Sequence, residues 1–208
     1  MDNSKLGNYV LFLSFIQKKI NEHFENQKDY IFCKEGCSKC CKKAQFPYTE
    51  IEFRLLMQGV LNLEQSLQQE IMAKVKKVLQ AKKEHMEKTP DEKFRYDCPL
   101  LINDSCSVYG CRGIICRCFG LMTFEPGSKK NSEIPFCAYE NLNYSNVLDT
   151  ETDTISEKKY KQANIKEEPK AFNASYLSFV DDEFAKGFDF EFGEIKPLIN
   201  WFEEFEKL

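Results

Sequence analysis

Histidine is nearly missing from this chain: 208 residues contain two, His23 and His85. That scarcity restricts the mixed cysteine and histidine sites that zinc proteins often use. Both histidines fall at polar positions of predicted helices and read as solvated residues, not ligands. Long apolar runs are missing too. The longest, "YVLFLSFI" at 9–16, is too short to cross a bilayer, and it leads into "QKKINEHFE" with no A-x-A cleavage site. No membrane partner and no signal peptide are therefore expected. Net positive charge is absent, at −4 with a pI near 5.4. General attraction to a nucleic-acid backbone is not expected from such a balance. The sequence also lacks a glycine-rich nucleotide loop, an H-E-x-x-H motif and a recognisable Cys/His nucleophile pair.

Cysteine, in contrast, is plentiful, with ten in the chain. Without a secretory signal, they point to a cytoplasmic, reducing setting, where clustered thiols hold metal or do redox chemistry more often than they form disulfides. A disulfide scaffold is the alternative. Hydrophobic residues at 42%, 18 Phe among them, argue for a packed interior, and 30% charged residues for an ordinary soluble surface. The length suits one domain with an appendage, or at most two small ones.

Tyr9, Phe12, Leu13, Ile16, Ile20 and Phe24 recur three or four apart and predict a core-packing helix over 8–25. "TEIE" at 49–52 reads as a capping box, with Thr49 at the N-cap, Glu52 reaching back and Gly59 as a stop. Asn62 is the expected cap of a longer helix carrying Leu63, Leu67, Ile71, Val75 and Leu79, ended by "TPDEK" at 89–93. Together the two helices should form a hairpin over the cysteine-rich centre. Residues 97–120 are too broken by Pro and Gly for continuous helix, and "NDS" offers a turn between two short extended arms. A last amphipathic helix is expected through Ile195, Leu198, Ile199, Phe202 and Phe205, with Pro197 in its first turn.

The fold class that follows is mainly α, with irregular cysteine-rich loops and a small β-hairpin, in one metal-stabilised domain. Residues 1–140 hold the N-terminal helix and the cysteine-cluster domain. Polar residues 141–170 read as a linker or surface loop, and 171–208 as an acidic, aromatic segment packing on the domain.

"CKEGCSKCCK" at 33–42 places four thiols within nine positions. Cys37 and Cys40 have the C-x2-C spacing that bends two thiolates onto one ion, and Cys33 is within the same range. Cys40 and Cys41 are adjacent, with Cα atoms about 3.8 Å apart and side chains that tend to diverge. They are expected to serve two centres, or one ligates while the other packs. An all-thiolate site carries negative charge, which Lys34, Lys39, Lys42, Lys43, Arg112 and Arg117 are placed in sequence to offset. A solvated lysine surface is the alternative for each. Soft thiolates select zinc, iron–sulfur clusters or Cu(I) over magnesium and calcium.

"CKEGCSKCC", then "CPLL", "CSVY", an arginine, "CR" and an aromatic residue resemble the YkgJ-like cysteine-cluster family, the CxxCxxCC family, described as zinc- or iron-chelating proteins. The resemblance spans about 33–140. It implies metal ligation by Cys33, Cys37, Cys40, Cys41, Cys98, Cys106, Cys116 and Cys137, with zinc or iron, an iron–sulfur cluster included, as the cofactor. Three features depart from the family pattern: three residues stand between Cys33 and Cys37, Arg112-Gly113 replaces Arg-Pro, and Cys111 and Cys118 are additional. Gly36 can supply the extra bend. Cys111 and Cys118 read as buried small hydrophobes or as replacement ligands. Tyr109 and Phe119 read as walls screening the metal.

Three functional readings follow. The first is a metal-binding protein whose thiolates, from two sequence blocks, form one polynuclear or two mononuclear centres. A second is an iron or iron–sulfur enzyme modifying a protein or peptide side chain, because a similar cysteine pattern occurs in flagellin lysine methylases; this rests on analogy. The third is a metal carrier or redox protein, which needs exposed thiolates.

Overall fold

The computed structural model describes residues 3–34, 36–43, 45–89, 93–124, 132–165, 167–172 and 179–206. Helix dominates. Helix α1 covers Asn3–Asn26, α2 Glu50–Leu61, α3 Gln65–Lys88, α4 Ile114–Cys118, α5 Glu157–Gln162, α6 Asp182–Lys186 and α7 Leu198–Phe205. The strands, β1 Pro47–Thr49, β2 Leu101–Ile102, β3 Ser105–Cys106, β4 Thr123–Phe124, β5 Ser132–Glu133, β6 Leu148–Asp149, β7 Thr154–Ile155 and β8 Ile195–Pro197, are all short. Among the described residues they pair only two by two and antiparallel: β1 with β8, β2 with β3, β4 with β5, β6 with β7. No described helix is long and apolar enough to cross a membrane.

The apolar stripe of α1 does what its spacing predicts. Tyr9, Phe12 and Ile20 are fully buried, and Leu13 and Ile16 nearly so. What covers them comes from the far end of the chain. Phe190 stands edge-on to Tyr9 at 5.5 Å, and Phe192 meets Phe12 at 5.6 Å. The aromatic tail thus contributes core to the N-terminal helix, and each such ring pair adds about 0.5–1.5 kcal/mol beyond simple burial. Further on, β8 pairs with β1 in the register Tyr48↔Lys196, and α7 follows directly, its Leu198 N–H bonded to Phe46 O at 2.9 Å. Trp201 and Phe202 then pack on Phe53 of α2, at 5.7 and 5.2 Å.

Helix α2 begins with the capping box, Thr49 and Glu52 bonding reciprocally. Its end differs from expectation. Gly59 lies inside the helix, because a Cβ there would stand 2.9 Å from both Cβ and Sγ of Cys111. The glycine is a notch for a neighbouring side chain, not a stop. Asn62 in turn closes α2 at its C-terminus, and Glu64 precedes α3. Ile71 and Val75 of α3 are fully buried beneath it. At the other end of the chain, Ile195, expected in the last helix, lies in β8 and is 42% exposed, because pairing with β1 claims 195–197.

Residues 141–170 carry the β6–β7 hairpin and α5, and they contribute Asn143, Tyr144, Val147 and Leu148 to the interior. Tyr144 stacks on Tyr30 at 5.8 Å, and its N–H donates to Tyr30 O at 2.7 Å. Those bonds press the stretch against the segment that carries Cys33. Tyr176 of the aromatic tail lies outside the described residues.

Candidate metal centre

The two cysteine blocks meet through the backbone. The Cys98 N–H donates to Cys41 O at 2.8 Å across 57 residues of sequence. After Cys98 comes the β2–β3 hairpin, in which Asn103 and Asp104 take φ of 49° and 59°. Two consecutive left-handed residues make the tight two-residue turn that suits a twisted hairpin, and they set Cys106 opposite Leu101. The turn is fastened to the cysteine knot: Asp104 accepts from Ser38 Oγ at 2.7 Å and pairs with Lys42 at 2.7 Å. Lys39 bonds Glu140 O at 3.0 Å, tying the knot to the single-turn helix Phe136–Glu140 that holds Cys137.

Beneath the hairpin, α4 presents Cys116. Glu52, fully buried, uses one carboxylate oxygen for Thr49 and the other to accept from Ile114 N–H at 2.8 Å. One carboxylate therefore caps α2 and α4 together, the charge sign that a helix N-terminus favours. Tyr48 OH lies 3.3 Å from Cys116 Sγ and accepts from Gly113 N–H at 2.9 Å. This last bond is one reason proline would not fit in place of Gly113. Its φ of −66° would suit proline, but its N–H is in use, and a Cβ would stand 2.8 Å from the Tyr48 ring.

The sulfurs gather around Cys40. Its Sγ is 3.9 Å from Cys41 Sγ, so the adjacent side chains stay together instead of diverging. For comparison, four sulfurs about 2.3 Å from one tetrahedral ion stand about 3.8 Å apart. Cys40 also lies within electrostatic reach of Cys33, Cys137, Cys98, Cys106 and Cys116. The Cys37 thiol lies near enough to Cys33 to disfavour its thiolate. All ten cysteines are free thiols. Among the described residues, no three of Cys, His, Asp or Glu surround one point in metal-ligand geometry. The sulfurs are neighbours, without yet being a coordination shell.

Their surroundings differ in kind. Burial dominates at Cys98, pushing it up to about 12, and raises Cys106 and Cys116 as well. Cys98 and Cys116 are only half-buried as whole residues, but their thiols are the buried part. Burial also lifts Cys33 to about 12 and Cys137 to about 11. Cys40 is lowered to about 7, chiefly by the hydrogen bond from the Cys41 thiol, which is itself raised. Opposing burial, backbone N–H groups donate toward several sulfurs: Leu100 to Cys98, Val108 to Cys106, Asn143 to Cys137. Such bonds favour the thiolate.

The donor set fits a thiophilic cation: soft sulfur, N–H donors aimed at it, and a cation alongside. Arg112 lies close enough to Cys40 and Cys106 to favour their charged forms. Its guanidinium stacks 3.7 Å over the Tyr109 ring, and its buried Nε has no hydrogen-bond partner among the described residues. A polythiolate centre is the charge such a group would balance. Tyr109 itself is 61% exposed and is a platform for Arg112, not a wall around metal. Phe119 packs on Phe46 at 5.4 Å.

The remaining candidates stand apart. Cys118 is buried in the cluster around α1, with Ile114 and Leu121. Cys111 fills the notch at Gly59 and lies beside Cys106. His23 bonds Lys170 O at 3.1 Å, half-buried against Phe172, and His85 meets Thr89 at 3.1 Å; neither lies at the thiols. Arg117 braces loops, bonding Arg112 O, Gln17 and Gly110 O. Lys34 is exposed, and nothing is described of the Lys43 side chain.

Two supporting residues carry no sequence signal of their role. Tyr48 sits in a strand with nothing to mark it as a partner of Cys116. Asn143, fully buried, accepts from the N–H groups of Phe32 and Cys33 at 2.9 and 2.8 Å and donates to Gly120 O at 2.8 Å. A lone Asn in a polar stretch could have been found only by asking why "NLNY" interrupts it with tyrosine. Comparison with protein-family models, with curated proteins and with solved structures found no match to this chain.

Proposed function

We propose that this protein binds a thiophilic metal, zinc or iron, through Cys33, Cys37, Cys40, Cys41, Cys98, Cys106, Cys116 and Cys137, in one polynuclear centre in a reducing compartment. The observation that carries the reading is Cys40, whose thiol faces both sequence blocks where Cys98 N–H meets Cys41 O. A shared thiolate suits one joined centre better than two separate ones. The cation supplies the positive charge that lets buried thiols stand as thiolates. The chain's part is to hold them: N–H groups of Leu100, Val108 and Asn143 donate to sulfur, Tyr48 orients Cys116, and Arg112 offsets the negative charge. The centre also holds the fold. The described segments that carry the thiols are loops, two-residue strands and short helical turns, and metal binding in such segments contributes on the order of 10 kcal/mol.

Anaerobic purification followed by elemental analysis, an acid-labile sulfide assay and a visible spectrum tests this. Retained zinc or iron at more than one ion per chain is expected, with sulfide separating an iron–sulfur cluster from plain thiolate sites. A metal-free protein that still melts cooperatively would refute it.

A second reading, an iron or iron–sulfur enzyme acting on a protein or peptide side chain, draws on a groove of about 950 Å³. It is lined by Leu13, Gln17, Leu55, Cys111 and Arg117 and so opens beside Cys111, the neighbour of Cys106. This reading needs iron with an open coordination position. A colourless protein holding zinc alone would remove it.

A further inference from the structure

We propose that the centre has an exchangeable side, formed by Cys33 and Cys37, through which bound metal passes to an incoming small thiolate ligand, while Cys98, Cys106 and Cys116 retain theirs. The inference rests on the metal-binding reading above. Its basis is an asymmetry of packing. Of the ten cysteines, Cys33 alone is exposed as a residue, although its thiol is partly covered. Cys40, Cys98, Cys106 and Cys116 pack against the apolar cluster of Tyr48, Leu56, Ile71, Val75 and Trp201, whereas Cys33 and Cys37 belong to none of the apolar clusters of the described residues.

Two glycines measure the difference directly. A Cβ at Gly113, beside the buried sulfurs, would meet Tyr48 at 2.8 Å, while one at Gly36, between Cys33 and Cys37, meets nothing within 4 Å among the described residues. Gly36 also takes a φ of +85°, the left-handed turn that glycine allows. Among the described residues, the segment is held by hydrogen bonds and not by apolar packing: Cys37 N–H to Lys34 O at 3.0 Å, and Cys33 N–H to Asn143 at 2.8 Å. Such a segment opens at lower free energy than packed core. Lys34, exposed beside Cys33, favours the approach of an anionic ligand.

The exchange is a ligand substitution without redox change. Bonds from a divalent ion to the Cys33 and Cys37 sulfurs would break first as bonds to two incoming thiolates form, and the ion would leave once its remaining protein–sulfur bonds are replaced in the same way. The released protein thiolates take protons from solvent.

The test uses the full chain, loaded anaerobically with zinc, desalted, and mixed with a chromogenic zinc chelator or with dithiothreitol. Release in two phases is expected, the fast one at least about tenfold quicker, the scale on which surrounding support alters metal sites. Cys33→Ser should abolish or accelerate the fast phase and leave the slow one unchanged. As a check independent of any substitution, timed iodoacetamide labelling with peptide mapping should modify Cys33 and Cys37 before Cys98, Cys106 and Cys116. Zinc that binds but leaves in one phase, or earlier labelling of the buried three, overturns this inference alone. A chain that retains no zinc overturns the metal-binding reading and this one with it.

Discussion

The thiols from 98–116 and those from 33–37 differ less in chemistry than in what stands behind them. Behind Cys116 is Tyr48, fully buried, with its backbone carbonyl accepting from Trp201 Nε1 at 2.8 Å and its hydroxyl accepting from Gly113. Behind Cys33 is one side chain, Asn143, reaching across from the polar stretch. The first set is backed by helices and aromatic rings in addition to whatever its sulfurs hold. The second is fixed by a few hydrogen bonds and depends far more on what its sulfurs hold. A thiol cluster can thus be built half as core and half as loop, with stability on one side and access on the other.

The largest effect that would break this contrast is metal removal. On the proposed metal-binding reading, chelation is expected to abolish the cooperative melt, because a bound metal would contribute on the order of 10 kcal/mol. Hydrogen exchange should then show the 31–43 segment losing protection before α2 and α3. Equal loss everywhere would erase the distinction.

Gly113→Ala comes next. The added methyl would press on Tyr48 and on Glu52 Oε1, 3.0 Å away. A cost of about 1–3 kcal/mol in denaturant titration is expected, as for other overpacked sites. Gly36→Ala meets no neighbour, so its cost should come from the left-handed backbone alone, about 1–2 kcal/mol. Leaving the core sulfurs undisturbed, it should not change the slow phase of zinc release.

Asn143→Ala leaves the N–H groups of Phe32 and Cys33 and the carbonyl of Gly120 without their partner. Each buried group left unpaired costs about 1–3 kcal/mol, moderated where water reaches it. The predicted signature is faster zinc release in the fast phase. Tyr48→Phe, by contrast, should cost about 1 kcal/mol through the lost acceptor for Gly113 and should quicken the slow phase. Reversal of those two kinetic outcomes would invert the assignment of the two sides.

The smallest effect sharpens the comparison from outside. Burial holds His23 below its usual imidazole value, opposed by its bond to Lys170 O. The unfolded chain therefore takes up a proton first as pH falls through about 6.5, and His23's contribution to stability is lost from there down through its lowered folded value. His23→Gln should flatten that part of a stability profile while leaving both zinc-release phases unchanged.

Much of this was legible in the sequence where local rules decide. The α1 stripe, the Thr49–Glu52 capping box and the Asn103–Asp104 turn depend on neighbours a few residues apart. Spacing and resemblance singled out eight thiols, and those of Cys33, Cys41, Cys98, Cys106, Cys116 and Cys137 lie near the Cys40 sulfur. The rest was hidden because it depends on distant partners. Gly59 looked like a helix stop since nothing nearby announces Cys111. Ile195 looked helical since its strand partner lies near residue 49. Tyr48 and Asn143 gain their roles only once chain ends and loops converge.

X-ray absorption at the metal edge of anaerobically purified protein addresses the central claim most directly. The account predicts a first shell of sulfur alone, at about 2.3 Å, with about four sulfurs per metal, and loss of sulfur from that shell in both Cys33→Ser and Cys98→Ser. A shell of nitrogen or oxygen, or one unaltered by either substitution, would contradict it.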